Sequence, residues 1–98
     1  LRTIPAIAKE RCFALKGGTA INLFVRDLPR LSVDIDLTYV PVSSRAKSMV
    51  AIDKAMRRIE SRLSRANPSL RTQVSVHEGA ATKLVVREFD VQVVIEVT

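Results

Sequence analysis

The sequence predicts an α/β fold of the α+β kind, with a mixed, partly antiparallel sheet flanked by helices. Three observations support it: an alternating strand pattern from Leu31 to Tyr39, a long amphipathic helical segment after it, and three strand-like runs in the last third of the chain. With 98 residues, the chain can bury one hydrophobic core but not two. We therefore expect a single domain over residues 1–98.

The N-terminal third predicts a helix, a glycine turn and a second helix. Thr3 to Arg11 has alanines and charges at helical spacing, with Thr3 in position to cap the helix. The brief apolar run Phe13 to Leu15 predicts a strand or a helix end, and the turn Lys16 to Thr19 closes it. Ala20 to Val25 then form a compact apolar block, for which we predict a helix.

The Leu31–Tyr39 segment is the clearest strand in the sequence. Its odd positions are apolar up to position 37, and its even positions 32 to 38 are polar, so the two sets point to opposite faces of a sheet. We expect the apolar face to be buried.

The second half predicts one helix followed by three strands. Apolar residues recur every three or four positions from Met49 to Leu63, and Asn67-Pro68 ends that helix because the residue before a proline avoids helical geometry. The strand candidates are Thr72–His77, Thr82–Arg87 and Val91–Val97. Only three residues separate the last two, which predicts a hairpin.

Composition excludes several classes of protein. A hydrophobic content of 47% is that of a globular domain. The apolar stretches are far shorter than the ~18 residues that cross a bilayer, so we expect no membrane partner. One cysteine, Cys12, and one histidine, His77, cannot build a disulfide or a Cys/His zinc cluster, so we interpret both as structural and expect a cytoplasmic location.

The ends of the chain predict that it is part of something larger. It starts at Leu1 without an initiator methionine and stops at Thr98 within a β-branched run. We expect an N-terminal fragment of a longer protein, so the fragment alone need not be active.

Asp34 and Asp36 are the first candidate site. Two positions apart in a strand, their carboxylates lie on the same face and repel each other. Either this face is solvated, or a divalent cation such as Mg²⁺, which prefers hard oxygen ligands, neutralises it. The spacing alone leaves both interpretations open.

Gly17, Gly18 and Thr19 are the second candidate site. Two glycines at a turn that opens a helix would leave backbone N–H groups free to meet a phosphate, and Thr19 adds a hydroxyl. The order of residues is not that of a P-loop, because Lys16 precedes the glycines. A plain glycine turn at a helix start is the alternative.

Together, these two segments resemble a known family. Leu15 to Ala20, followed by Arg30 to Leu37, resembles the first motif of the DNA polymerase β-like nucleotidyltransferases. More narrowly, it resembles the AbiEii/AbiGii-type abortive-infection toxins, whose signature reads like L-K-G-G-T-A-L … R-x-S-x-D-I-D-L. The closing Val94 to Val97 resembles a later strand of the family that carries an acidic residue.

The resemblance implies a nucleotidyltransferase-like fold and the transfer of a nucleoside monophosphate from an NTP to an acceptor. By it, Gly17, Gly18 and Thr19 would hold the triphosphate and Ser32 would reach a phosphate. Asp34 and Asp36 would bind Mg²⁺ in a two-metal site. Glu96 would be the third carboxylate, as a metal ligand or a general base. The alternative for Glu96 is an acid on an exposed strand.

The resemblance also implies partners: tRNA or another RNA as acceptor, and a cognate antitoxin. The chain carries a formal charge of +6, and its basic residues concentrate on the long helix and its exit. Arg57, Arg58 and Arg62 are the candidate nucleic-acid contacts, through phosphates, since four aromatic residues make a stacking platform a poor expectation. A solvated helix face is the alternative.

Two other functions stay open. The same fold could modify a small molecule or a protein hydroxyl. A non-catalytic basic module would instead bind nucleic acid without Mg²⁺ and without NTP.

Overall fold

The computed structural model describes residues 3–15, 21–25 and 31–98, with side chains for 5–14 and 31–98. The elements within these ranges are α1 (Thr3–Ala8), β1 (Phe13–Leu15), β2 (Ile21–Val25), β3 (Leu31–Tyr39), α2 (Arg45–Ala66), β4 (Arg71–His77), β5 (Ala80–Glu88) and β6 (Val91–Val97). The predicted class, a mixed sheet with helices, is confirmed.

All six strands belong to one mixed sheet. The order across it is β1-β3-β6-β5-β4, and β2 also pairs with β3. Strands β3 and β6 are parallel, while every other pair is antiparallel. Because β6 occupies one edge of β3, β1 and β2 share the other edge. They lie end to end there, with β1 beside the C-terminal part of β3 and β2 beside its N-terminal part.

The core lies between α2 and one face of this sheet. The helix buries Ile52, Met56, Ile59 and Leu63 at spacings of three and four, as predicted. They join a cluster with buried strand residues, namely Ile35, Leu37, Leu84, Val86, Val93 and Ile95. Full burial of such a side chain contributes about 1.5–3 kcal/mol. Helix α2 therefore covers one face of the sheet and leaves the other face uncovered.

Both ends of α2 are capped. The Ser44 hydroxyl accepts a hydrogen bond from the Lys47 backbone N–H at 3.2 Å. At the other end, the Asn67 N–H donates to the Leu63 carbonyl at 3.0 Å, and Asn67 leaves helical geometry before Pro68. The predicted helix end is confirmed.

Two tight turns connect the last three strands. Glu78 and Gly79 link β4 to β5 with φ of +52° and +81°, and Phe89 and Asp90 link β5 to β6 with Phe89 at +49°. The predicted hairpin between the last two strands is confirmed. Positive φ suits glycine but strains Phe89, a bulky residue.

The helix predicted for Ala20–Val25 is wrong, because Ile21–Val25 is strand β2. Ile21, Phe24 and Val25 favour strand geometry, and a segment this short gains more backbone hydrogen bonds on the edge of β3 than in an isolated helical turn. Since no helix begins at Ile21, the helix dipole expected after the glycine turn is absent there. Helix α1 also ends earlier than predicted, at Ala8.

Candidate active site

Asp34 and Asp36 lie on the face of the sheet away from α2. Their neighbours Ile35 and Leu37 are buried in the core, at 2% and 0% exposure, and strand alternation turns the two aspartates to the opposite face. Both are half-buried. We call this polar side of the sheet the carboxylate face.

Strand β6 adds Glu96 to the carboxylate face. The parallel register pairs Asp36 with Glu96 and Asp34 with Val94. Directly paired residues point to the same side, and neighbouring strands are about 4.8 Å apart. The fold therefore brings the three predicted acidic residues together on one face, although Glu96 is far from the aspartates in sequence.

The segment that contains the glycine pair begins and ends beside Asp36. Leu15, at the end of β1, pairs with Leu37, and Ile21, at the start of β2, pairs with Ile35. Leu37 and Ile35 are the two neighbours of Asp36 in β3. The predicted phosphate-binding residues Gly17, Gly18 and Thr19 themselves lie outside the described residues.

The three carboxylates suit a magnesium ion by their chemistry and by their strand positions. Mg²⁺ prefers one or two carboxylates, water and substrate phosphates at octahedral geometry. As the side chains stand, no three Asp, Glu, His or Cys residues within the described ranges form a group able to hold a metal ion. The magnesium site thus stays a prediction, which requires the carboxylates to turn toward a shared ion.

Ser32 is on the same face but is fully buried, at 0% exposure. The Gln92 side-chain amide lies 3.5 Å from its hydroxyl, at the limit of a hydrogen bond, and the Gln92 carbonyl oxygen accepts from Arg87 Nε at 2.9 Å. These contacts give Ser32 a structural partner. The phosphate contact predicted for it stays a prediction.

Lys83 is a residue of this site that the sequence did not single out. It lies directly opposite Glu96 in the antiparallel β5–β6 register and is half-buried. Its ammonium group makes no ion pair or hydrogen bond within the described ranges. Only the strand register reveals this neighbour, because nothing in the local sequence marks Lys83.

A cleft opens where β3 and β6 end. It has a volume of about 960 Å³ and is lined by Glu96 and Lys83 together with Tyr39, His77 and the first turns of α2. Ligands of open α/β sheets commonly bind outside the carboxyl ends of the strands. Its size is that of a small-molecule site.

The three arginines predicted to contact nucleic acid are engaged with acidic residues. Arg57 Nε lies 3.1 Å from Asp53, while Arg58 and Arg62 both pair with Glu10, at 2.7 and 2.5 Å. The pairs with Glu10 tie α2 to the segment after α1, while the Arg57–Asp53 pair lies within α2. Helix α2 packs against the opposite face from Asp34 and Asp36, so this basic stripe does not line the carboxylate face. Its contact with RNA stays a prediction.

The Glu10 carboxylate is the centre of that ion-pair cluster. It is buried, at 5% exposure, and the hydrogen bond from Arg58 lowers its pKa below the ordinary value, with a smaller contribution from Arg62. The Asp53 pKa is also lowered, first by the hydrogen bond that Asp53 accepts from the Ala81 N–H and then by Arg57. Both acids therefore fasten helix α2 to its neighbours.

Carboxylates on two adjacent parallel strands, beside the ends of a glycine-containing segment, form the arrangement that the resemblance in the sequence implies. A family model described as "Nucleotidyl transferase AbiEii toxin, Type IV TA system" matches residues 1–97. The chain belongs to this AbiEii nucleotidyltransferase toxin family. No curated protein and no solved structure matches it significantly.

Family membership confirms the resemblance seen in the sequence. It supports a nucleotidyltransferase acting as the toxin of a toxin–antitoxin pair, and it implies a cognate antitoxin. Neither helix that the structure describes is long and apolar enough to cross a membrane.

Proposed function

We propose that this domain transfers a nucleoside monophosphate from an NTP to a hydroxyl group of an acceptor, with Mg²⁺ as cofactor. The observation that supports this most is the direct pairing of Asp36 with Glu96, on the same face as Asp34. A solvated strand face has no need of three acids on two adjacent strands, since like charges at this spacing repel. Nucleotidyl transfer does need them.

Each candidate residue has a separate role in the proposed reaction. Gly17, Gly18 and Thr19 hold the triphosphate beside Asp36, through backbone N–H groups and a hydroxyl. The acceptor oxygen attacks the α-phosphorus, a new P–O bond forms, the bond to the β-phosphate oxygen breaks, and pyrophosphate leaves. Glu96 accepts the proton of the attacking hydroxyl. Asp34 and Asp36 would hold Mg²⁺, which supplies charge neutralisation for the triphosphate and pyrophosphate.

We assign RNA, with tRNA as one candidate, as the acceptor, and a separately encoded antitoxin as the partner that controls the activity. The net charge of +6 favours a polyanionic acceptor. NTP and RNA substrates place the activity in the cytoplasm.

The test is a transfer assay with each of the four α-³²P-labelled NTPs, Mg²⁺ and total RNA. We expect label on RNA from at least one NTP, and loss of labelling in Asp36→Asn and in Glu96→Gln. Glu60→Gln, on α2 across the sheet, removes a charge elsewhere and is the matched control. Label on protein or on a small molecule instead would assign the same chemistry to another acceptor. No binding of any NTP would refute the proposal.

A further inference from the structure

Phe89 combines two unfavourable features at one position. Its side chain is 92% exposed, and its backbone has a φ of +49° in the two-residue turn between β5 and β6. An exposed aromatic ring forfeits its hydrophobic contribution, and a bulky residue in left-handed geometry is strained. Packing therefore does not account for phenylalanine in this turn.

Two arginines stand beside this ring. Phe89, Arg71 and Arg87 line one cavity of about 370 Å³ with Ser69 and Glu88. The Glu88 carboxylate accepts a hydrogen bond from the Asn67 side chain, which orients it, and the two guanidinium groups exceed its single negative charge. The cavity thus presents one aromatic ring and two guanidinium groups.

Both arginines belong to the carboxylate face. The antiparallel registers pair Arg71 with Arg87 and Arg87 with Gln92, and Gln92 is on the side of β6 that carries Glu96. Gln92 accepts a hydrogen bond from Arg87 and so fixes its orientation. The Arg71 side chain is exposed and makes no ion pair or hydrogen bond within the described part of the chain.

The arginine cavity lies at a distance from the carboxylates that a polymeric acceptor can span. Gln92 and Glu96 are four residues apart in β6, so the arginine cavity begins about 13 Å from Glu96 along the strand. Lys83, directly opposite Glu96, lies at the carboxylate end of this distance, on the same face as Arg87. A chain of phosphates extending from an acceptor end at Glu96 would meet these cations in turn.

We infer that Phe89, Arg71 and Arg87 form a subsite for single-stranded RNA, in which a base stacks on the Phe89 ring and the two guanidinium groups bind phosphates. This rests on the proposed nucleotidyl transfer and names where its acceptor binds. Unpaired bases stack on exposed aromatic rings, whereas duplex RNA hides its base faces. Arg57, Arg58 and Arg62 belong to the helix across the sheet and are paired with acids.

The test measures binding of a fluorescein-labelled, single-stranded 15-nucleotide RNA over a range of salt concentrations. We expect Phe89→Asn to weaken binding about fivefold or more without changing the salt slope, because stacking disappears and no charge is removed. Phe89→Trp should retain the affinity. We expect Arg71→Gln to flatten the slope of log K against log salt by about 0.7, the change that follows when one phosphate of a single strand is no longer neutralised.

The matched control is Lys54→Gln, which removes an exposed charge, paired with no described residue, from α2 on the other side of the sheet. Wild-type RNA affinity in Phe89→Asn and Arg71→Gln, or an equal loss in Lys54→Gln, would overturn the subsite. So would loss of a bound antitoxin with RNA affinity intact, which would make Phe89 a protein contact. The midpoint shift produced by NTP with Mg²⁺ is measured on the same variants. If NTP with Mg²⁺ produces no midpoint shift in the wild type, the proposed nucleotidyl transfer is contradicted. The RNA-binding result does not depend on that outcome.

Discussion

Asp36 and Glu96 are direct neighbours across the parallel strands β3 and β6, with Lys83 of β5 on the far side of Glu96. The two acids are far apart in the sequence, and parallel pairing turns both to the face that α2 leaves uncovered. The same arrangement leaves β1 and β2 beside Asp36 on the other edge of β3. Acids, a cation and the two ends of the glycine segment therefore lie on four neighbouring strand positions of the sheet.

The first prediction concerns the metal. Mg²⁺ or Mn²⁺ with NTP should raise the thermal midpoint, because a ligand that binds only the folded state stabilises it, by about 2.7 kcal/mol at a hundred times its Kd. Asp36→Asn should abolish this gain and should raise the midpoint slightly without metal, since it relieves repulsion from Glu96. Differential scanning fluorimetry measures both effects.

Asp90→Asn is the control for this experiment and should keep the full metal-dependent gain. If millimolar Mg²⁺ and NTP together leave the thermal midpoint of the wild type unchanged, the simple interpretation of a solvated strand face is favoured. An equal gain in wild type and Asp36→Asn would show that the ion binds elsewhere.

The predictions from sequence were correct where the hydrophobic pattern extended over many residues. The nine residues of β3 and the 22 of α2 are long enough for their periods of two and 3.6 to be unambiguous. Ile21–Val25 contains too few residues to distinguish the two periods, and pairing with β3 decides its structure. Strand order is a long-range property, so the sequence could suggest Glu96 as a third acid only through family resemblance, and no local pattern marked Lys83.

The arginine cavity could not be predicted from the sequence for a similar reason. Arg71 and Arg87 are distant in sequence, and counting aromatic residues says nothing about whether one of them is exposed. The structure shows Phe89 exposed at a turn beside both arginines.

The second prediction concerns Glu10. Replacing it with glutamine removes the charge from a buried carboxylate that pairs with Arg58 and Arg62. Because both arginines are partly exposed and can be hydrated, we expect a loss of about 2 kcal/mol in the free energy of unfolding, less than the ~3–5 kcal/mol for breaking a fully buried pair. Urea unfolding at pH 7 measures it. A loss below about 0.5 kcal/mol would mean that these pairs do not hold α1 to α2.

The third prediction gives the pH dependence of that loss. The folded-state pKa of Glu10 lies below its ordinary value of 4.5, so the folded state favours the charged form. The contribution of Glu10 is therefore complete above the unfolded pKa, near 4.5, and disappears as pH falls through the lower folded pKa. The difference in unfolding free energy between wild type and Glu10→Gln should be constant from pH 6 to 8 and shrink below about pH 4.5. A difference that grows on acidification would contradict this sign.

The fourth prediction concerns the core. Ile95 is fully buried between α2 and the sheet and alternates with Glu96 along β6. Ile95→Ala should destabilise the domain by about 2–5 kcal/mol through reduced burial and a residual cavity. Ser61→Ala, at an exposed position of α2, should have a much smaller effect. Comparable losses for the two substitutions would place the core elsewhere.

The last prediction separates function from folding at the glycine pair. Leu15 and Ile21 are held beside Asp36 by pairing with β3. Gly18 is proposed to let backbone N–H groups approach the triphosphate, so Gly18→Val should block NTP binding by adding a β-branched side chain where the phosphates bind.

Gly18→Asn tests the alternative, a backbone position with positive φ, because asparagine tolerates left-handed geometry. Melting and NTP binding are measured on both variants. If close approach is the requirement, Gly18→Asn folds but binds NTP poorly. A stable Gly18→Asn protein with undiminished NTP affinity would refute that role, since a side chain at this position would then not obstruct the nucleotide.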